Sequence, residues 1–143
     1  MKRDFALAVK AIIIRDGRFL VLHRSKEEIK SSSMNHHVAW DLPGGGVRFS
    51  ETAERGLFRE VGEETNLKVS LVRILNCYDA IRSDVHLTIL TYLCKYIDGE
   101  VKLSSEHDGY YWMTISDMRK MHLPYWMIRD FEDVYNEFVL KAD

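Results

Sequence analysis

The chain has 143 residues, 46% hydrophobic and 29% charged, the size and balance of one globular domain with a core of its own, so disorder is not the leading expectation. A formal net charge of -2 and a pI near 6.3 leave no cationic excess for bulk attraction to nucleic acid, so a nucleic-acid partner is not expected and an anionic small molecule must meet local cations. The two cysteines, Cys77 and Cys94, are too few and too far apart for a thiolate zinc site and read as buried, reduced thiols.

The first residues begin basic and turn apolar, but Asp4 and Lys10 interrupt them and the apolar run at 11–14 is too short for a secretory leader. No stretch is long enough to span a bilayer, so no membrane association and a cytoplasmic, reducing setting are expected. Residues 5–14 and 19–22, rich in β-branched and apolar side chains around Arg15-Asp16-Gly17-Arg18, predict a β-hairpin. Residues 25–38, SKEEIKSSSMNHHV, are polar with little periodicity and predict a long loop, either a surface excursion or a cover for a substrate. His36 and His37 in it are solvated, or reach a phosphate when the loop closes. Residues 39–42 form a short apolar piece, with Trp40 expected to pack in the core rather than stack on a base, halted by Pro43 and the glycines Gly44, Gly45 and Gly46.

A helix is predicted over 50–65, with Ser50 as N-cap, Glu51 and Glu54 near the positive end of its dipole, and Ala53, Leu57 and Val61 as one packed stripe. Asn66 stands where the helix must stop, the best non-glycine residue for a left-handed exit. Strands follow at 68–80 and 85–97, then a turn at Asp98-Gly99-Glu100, a short strand at 110–113 and helices at 114–121 and 125–140, the last entered through Pro124. Residues 1–143 therefore read as a single α/β domain with a mixed β-sheet and helices packed against it.

On the first of these helices Glu60, Glu63 and Glu64 share one face within about a turn, and like charges so placed repel by roughly 0.2–0.5 kcal/mol per pair. Arg55 and Arg59 are too few to neutralise Glu51, Glu54, Glu60, Glu63 and Glu64 together. A hard divalent cation with oxygen ligands would relieve them, although an E-x-x-E-E run by itself is more often a solvated helix face.

The surrounding spacing is more specific. Gly45, Glu51, Arg59, Glu60, Val61, Glu63, Glu64 and Leu67 follow G-x5-E-x7-R-E-U-x-E-E-x-G-U, where U is bulky and aliphatic, with Asn66 in place of the last glycine. In this the chain resembles the Nudix (MutT-like) hydrolases. The resemblance implies an α/β/α sandwich, Mg2+ (or Mn2+) as cofactor, and hydrolysis of the diphosphate linkage in a nucleoside diphosphate joined to another group. By motif position Glu60, Glu63, Glu64 and the Gly45 carbonyl would hold the metal, Arg59 would orient the acids, and Glu51 would support the helix opening. Glu63 and Glu64 would serve catalysis, the general base being Glu64 or Glu106 of SSEHDGYYW. The Gly44, Gly45 and Gly46 loop and Arg24 would contact substrate, with Arg82 a further candidate for phosphate or ribose.

Pro43 and Pro124 are the only prolines, and residues 79–84 read DAIRSD where the ADP-ribose branch of the family carries a proline. The expected substrate is therefore a (d)NTP or related nucleotide, with ADP-ribose or a nucleotide sugar as the alternative and a nucleotide-sensing domain that binds without cleaving as another. RNA-end processing is disfavoured by the acidic balance. Dimers are common in the family, and the sequence leaves a homodimer open.

Overall fold

A computed structural model describes residues 4–31 and 38–139. The chain opens with β1 (Asp4–Arg15) and β2 (Arg18–Arg24), a hairpin whose loop residues Asp16 and Gly17 have φ of 50° and 74°, as a two-residue turn between twisted strands requires. It continues through α1 (Lys26–Ser31), β3 (Trp40–Asp41), β4 (Gly44–Gly46), α2 (Ala53–Thr65), β5 (Lys68–Ile81), β6 (Val85–Asp98), β7 (His107–Met113), α3 (Ile115–Lys120) and α4 (Tyr125–Val134), and ends in a π-helical turn, Tyr135–Val139.

Among the described residues all the strands join one seven-stranded mixed sheet, with a hydrogen-bonded path β3-β2-β1-β6-β5, β4 on β1 and β7 on β2. The β1–β6 pair is parallel and runs from Asp4↔Val85 to Ile14↔Lys95, so β2 and β4 must share the other edge of β1. They do so because β1 and β2 pair only at Ile14↔Phe19 and Arg15↔Arg18 and then part. Residues 39–47 fill the wedge: Leu22↔Asp41 on one side, Val9↔Gly45 on the other, extended by Arg24 N–H to the Ala39 carbonyl at 2.7 Å and Ala11 N–H to the Pro43 carbonyl at 2.8 Å. The glycine run thus lies inside the sheet. Its geometry admits little else, since Gly44 has φ 152° and a Cβ there would strike the Val9 carbonyl.

Alternate residues of β1 face opposite cores. Val9, Ala11 and Ile13 pack with Leu57 and Val61 of α2, while Ile12 packs with Met127, Ile128 and Phe131 of α4, giving the expected α/β/α layering. Among the described residues no helix is long and apolar enough to cross a membrane.

Several expectations are corrected. The polar stretch 25–38 contains α1, whose single turn and a half is too short for a periodic signal; its N-terminus is fixed by Glu28 N–H on the Ser25 hydroxyl at 3.2 Å. His36 and His37 lie outside the described residues. The N-cap of α2 is Thr52, accepting from Arg55 N–H at 3.2 Å, and Ser50 instead adopts φ 66°. Glu51 therefore precedes the helix. The last helix passes from α to π geometry after Val134, and Cys77 is exposed while Cys94 is buried. Trp40 is half-buried against the α4-side core, and Asn66 caps α2 at φ 63°, ψ 15° with its N–H on the Gly62 carbonyl.

Candidate active site

Arg59 organises the acids. Its Nε donates to Glu51 Oε2 at 2.8 Å, Nη2 to Glu51 Oε1 and to the Gly46 carbonyl, both at 3.0 Å, and Nη1 to Glu60 Oε1 at 3.0 Å and Glu63 Oε2 at 3.3 Å. One planar fork thus ties the loop before α2 to two turns of the helix, a geometry an ammonium cannot reproduce. The Arg59 bonds, with a further one from Arg48 N–H, hold the Glu51 carboxyl down at about 2, and Arg59 in turn is held well above its ordinary value by Glu51. Glu63 is the most exposed of the set and has Arg48 at 3.8 Å. The repulsion read from the sequence is therefore largely relieved by Arg59 with help from Arg48, because Glu54 points to solvent and Glu64 turns the other way. Arg59→Lys should keep the charge and lose the fork, weakening metal binding or turnover about 10- to 100-fold, as calorimetry with Mn2+ would read. An unchanged affinity would make the fork dispensable.

The glycine run meets the acids from the sheet side. A Cβ on Gly45 would lie 2.7 Å from Glu60 Cδ and 2.8 Å from both of its oxygens, so the Glu60 carboxylate rests directly on the Gly45 backbone. Gly44 N–H donates to Glu64 Oε1 at 3.0 Å. Glu64 continues the Leu57 and Val61 stripe by one turn and is only 3% exposed. Burial pushes its carboxyl up to about 7 from an ordinary 4.5, against the opposing pull of the Lys10 charge.

That shift has a sign. A carboxyl that holds its proton more tightly when folded stabilises the fold fully below pH 4.5 and loses the contribution as pH rises to about 7, a change of about 3 kcal/mol. Urea unfolding of the chelator-treated protein should weaken across this window, and Glu64→Gln should flatten the profile. If the variant keeps the same slope, another group titrates.

Beneath the acids lies a charged network that the sequence reading did not assemble. Asp41 receives Lys10 Nζ at 3.0 Å and lies 3.3 Å from Arg24 Nη2 and 3.0 Å from His107 Nε2. Lys10 also donates to the Leu42 carbonyl at 3.2 Å, and Arg24 to the Val38 carbonyl at 3.1 Å. Desolvation works to raise the Asp41 carboxyl, but Lys10, His107 and Arg24 prevail and hold it well below the carboxylate range. Desolvation likewise opposes the Lys10 charge, and Asp41 and Glu64 outweigh it, so its value ends above the ordinary one. Glu106, exposed in the turn before β7, has a carboxylate oxygen within 4.8 Å of ligand atoms of Glu64 and His107.

The NUDIX domain family matches residues 4–131. The chain belongs to the NUDIX family. A MutT-like protein of Streptomyces ambofaciens is 28% identical over 125 residues, covering 87% of this chain and 73% of that protein. An ADP-ribose pyrophosphatase of Methanocaldococcus jannaschii is 30% identical over 103 residues, 71% of this chain and 57% of that relative, so the chain spans little more than half its length. The crystal structure of a MutT protein from Methanosarcina mazei Go1 superposes with a TM-score of 0.76 at 30% identity, over 96% of this chain and 99% of that one. The protein is accordingly a Nudix hydrolase acting on pyrophosphate bonds.

Nudix hydrolases use divalent metals, and the donors here fit one: Glu60 lies in the cradle that a Cβ on Gly45 would fill, and Glu64 and Glu106 approach each other at the inner edge. Of the other residues singled out from the sequence, Gly46 serves as an acceptor for Arg59, Arg24 is tied to Asp41 and Val38, and Arg82 sits at the tip of the β5–β6 hairpin. Hollows of about 480 Å³ beside Arg73 and Asp130, about 510 Å³ beside Arg15 and Trp112 and about 540 Å³ beside Ile115 and Tyr135 contain none of the α2 acids.

Proposed function

We propose that this Nudix hydrolase cleaves the diphosphate linkage of a nucleotide, a (d)NTP or close relative, with Mg2+ or Mn2+ held by Glu60, Glu63, Glu64 and the Gly45 carbonyl. The observation that carries the reading is the convergence of Glu60 and Glu64 on the backbone of adjacent glycines, with Arg59 bonded to Glu60, Glu63 and the Glu51 that precedes the helix. A bound dication there would offset phosphate charge and acidify water. Glu64 or Glu106, whose carboxylates approach each other at the inner edge of the site, accepts the proton of the water that attacks phosphorus. Arg59 and Glu51 keep the helix and the glycine loop in register, so the carboxylates need not reorganise on binding.

The nucleoside has a place on the α4 side of the sheet. A notch of about 40 Å³, room for one or two waters, is lined by Lys10, Arg24, Trp40, Tyr78, Trp126 and Met127. A base stacks across its mouth rather than inside it, where Trp126 and Tyr78 are 50% and 42% exposed. Trp126→Ala should raise KM about tenfold with kcat nearly unchanged, the loss expected for one stacked base. An unmoved KM would put the base elsewhere.

The kinship with an ADP-ribose pyrophosphatase supports ADP-ribose or a nucleotide sugar as a second reading. The test is a screen of (d)NTPs, ADP-ribose, nucleotide sugars and dinucleoside polyphosphates with Mg2+ and with Mn2+, resolving products by chromatography. A monophosphate and pyrophosphate from a (d)NTP supports the first reading, AMP and a sugar phosphate the second, and tight binding without product neither.

A further inference from the structure

We propose that Glu64, Glu106 and His107 form a mixed cation site, two carboxylate oxygens and one imidazole nitrogen, that takes a first-row transition-metal dication such as Mn2+ in preference to Mg2+. The proposal rests on reading Glu64 as a metal ligand and adds a nitrogen donor, outside the α2 motif, that the motif does not contain.

The three residues offer ligand atoms that all lie within 4.8 Å of one another. Ligands about 2.1 Å from one ion stand no more than about 4.2 Å apart, so closing on a dication takes well under an ångström of movement. The independent observation is the state of His107. Its side chain is 1% exposed, Nε2 meets Asp41 Oδ2 at 3.0 Å, and Nδ1 is buried with no hydrogen-bond partner. Asp41, flanked by Lys10 and Arg24, is a carboxylate and accepts only, so Nε2 carries a proton towards it and Nδ1 is the nitrogen left to meet a cation through the lone pair of the neutral ring. A buried polar nitrogen without a partner is a cost that a ligand removes.

Carboxylate to imidazole to metal is the arrangement by which proteins fix the tautomer and orientation of a ligating histidine and strengthen it as a donor. Asp41 occupies the first place in that series, and Lys10 and Arg24 hold it there. Local backbone geometry contributes as well. His107 pairs with Arg24 across a register shift between His23 and Arg24, the kind of irregularity that turns a side chain out of the regular alternation of a strand. The donor set then decides the ion. Mg2+ favours an all-oxygen shell and gains little from imidazole, whereas the first-row transition dications bind nitrogen more strongly. Without the nitrogen, Glu64 and Glu106 would be an ordinary acidic pair.

The test uses the full chain, freed of metal and given Mn2+ alone. Pulsed EPR of the Mn2+ complex should show nitrogen modulation from a directly bound imidazole, absent in His107→Asn. Calorimetry should show Mn2+ binding weakened about 10- to 100-fold in that variant, with Mg2+ binding affected far less. Glu106 is on the surface, so Glu106→Gln keeps the fold whatever becomes of His107→Asn, and it should weaken Mn2+ as well. Mn2+ bound with no nitrogen signal in the parent, or with a signal that survives His107→Asn, overturns the nitrogen ligand and leaves the carboxylate reading standing. No Mn2+ bound at all overturns both.

Discussion

Glu64→Gln should lower kcat/KM about 1000-fold or more on whichever nucleotide the screen selects, and Glu63→Gln should do likewise, with both variants fully folded. The size follows from what the charges do: stabilising charge on phosphorus through a bound dication contributes several kcal/mol, and each 1.36 kcal/mol is tenfold in rate. Folding should survive because glutamine at 64 still presents an oxygen to Gly44 N–H, now 3.0 Å from Glu64 Oε1, and because Glu63 is 53% exposed and holds only surface pairs with Arg59 and Arg48. Circular dichroism would confirm the fold while steady-state kinetics reads the loss. If both variants turn over like the parent, these acids do not hold the catalytic ion.

Asp41→Ala should be the most damaging single change to stability, about 3–5 kcal/mol, because it strands charges rather than removing contacts. Asp41 is 8% exposed and is the common partner of Lys10, Arg24 and His107. Without it Lys10 and Arg24 face each other with no anion between them, and His107 Nε2–H joins Nδ1 as an unsatisfied buried group. Denaturant unfolding should show a lower midpoint with an unchanged slope, and a second change, Lys10→Met, should restore part of the loss. A variant within about 1 kcal/mol of the parent would mean that water already screens this network.

Local chemistry made much of the fold legible. The Leu57 and Val61 stripe, the asparagine exit at Asn66 and the Asp16-Gly17 turn each depend on a few neighbouring residues, and each stands where its side chains predict. The start of α2 was misplaced for a physical reason. Ser50 and Thr52 are both good caps, but the bonds from Glu51 N–H to the Arg48 carbonyl and from Arg48 N–H back to Glu51 Oε1 close a turn that leaves Ser50 left-handed, passing the cap to Thr52. The role of Arg59 was legible as an orienting cation, but not that one side chain would satisfy Glu51, Glu60 and Glu63 together.

The inner half of the site was hidden because it is non-local. Lys10 and Asp41 are separated by 31 positions, and their meeting depends on residues 39–47 wedging between β1 and β2. A signal was nonetheless present: each is a lone charge inside an apolar run that must be buried, and two such charges of opposite sign call for one another. His107 carried no such mark, since a histidine beside exposed Glu106 and Asp108 reads as a turn residue until β7 is seen to begin at it.

The central claim is that the α2 carboxylates and the Gly45 backbone gather divalent metal on which a nucleotide diphosphate is cleaved. Its most direct test is anomalous diffraction from crystals soaked in Mn2+ with a non-hydrolysable nucleotide. Manganese peaks within about 2.2 Å of Glu60, Glu63 or Glu64 oxygens, with the diphosphate on their far side and Arg59 still on Glu51, are the predicted result. Bound nucleotide with manganese elsewhere, and these carboxylates left to Arg59 and solvent, would contradict it.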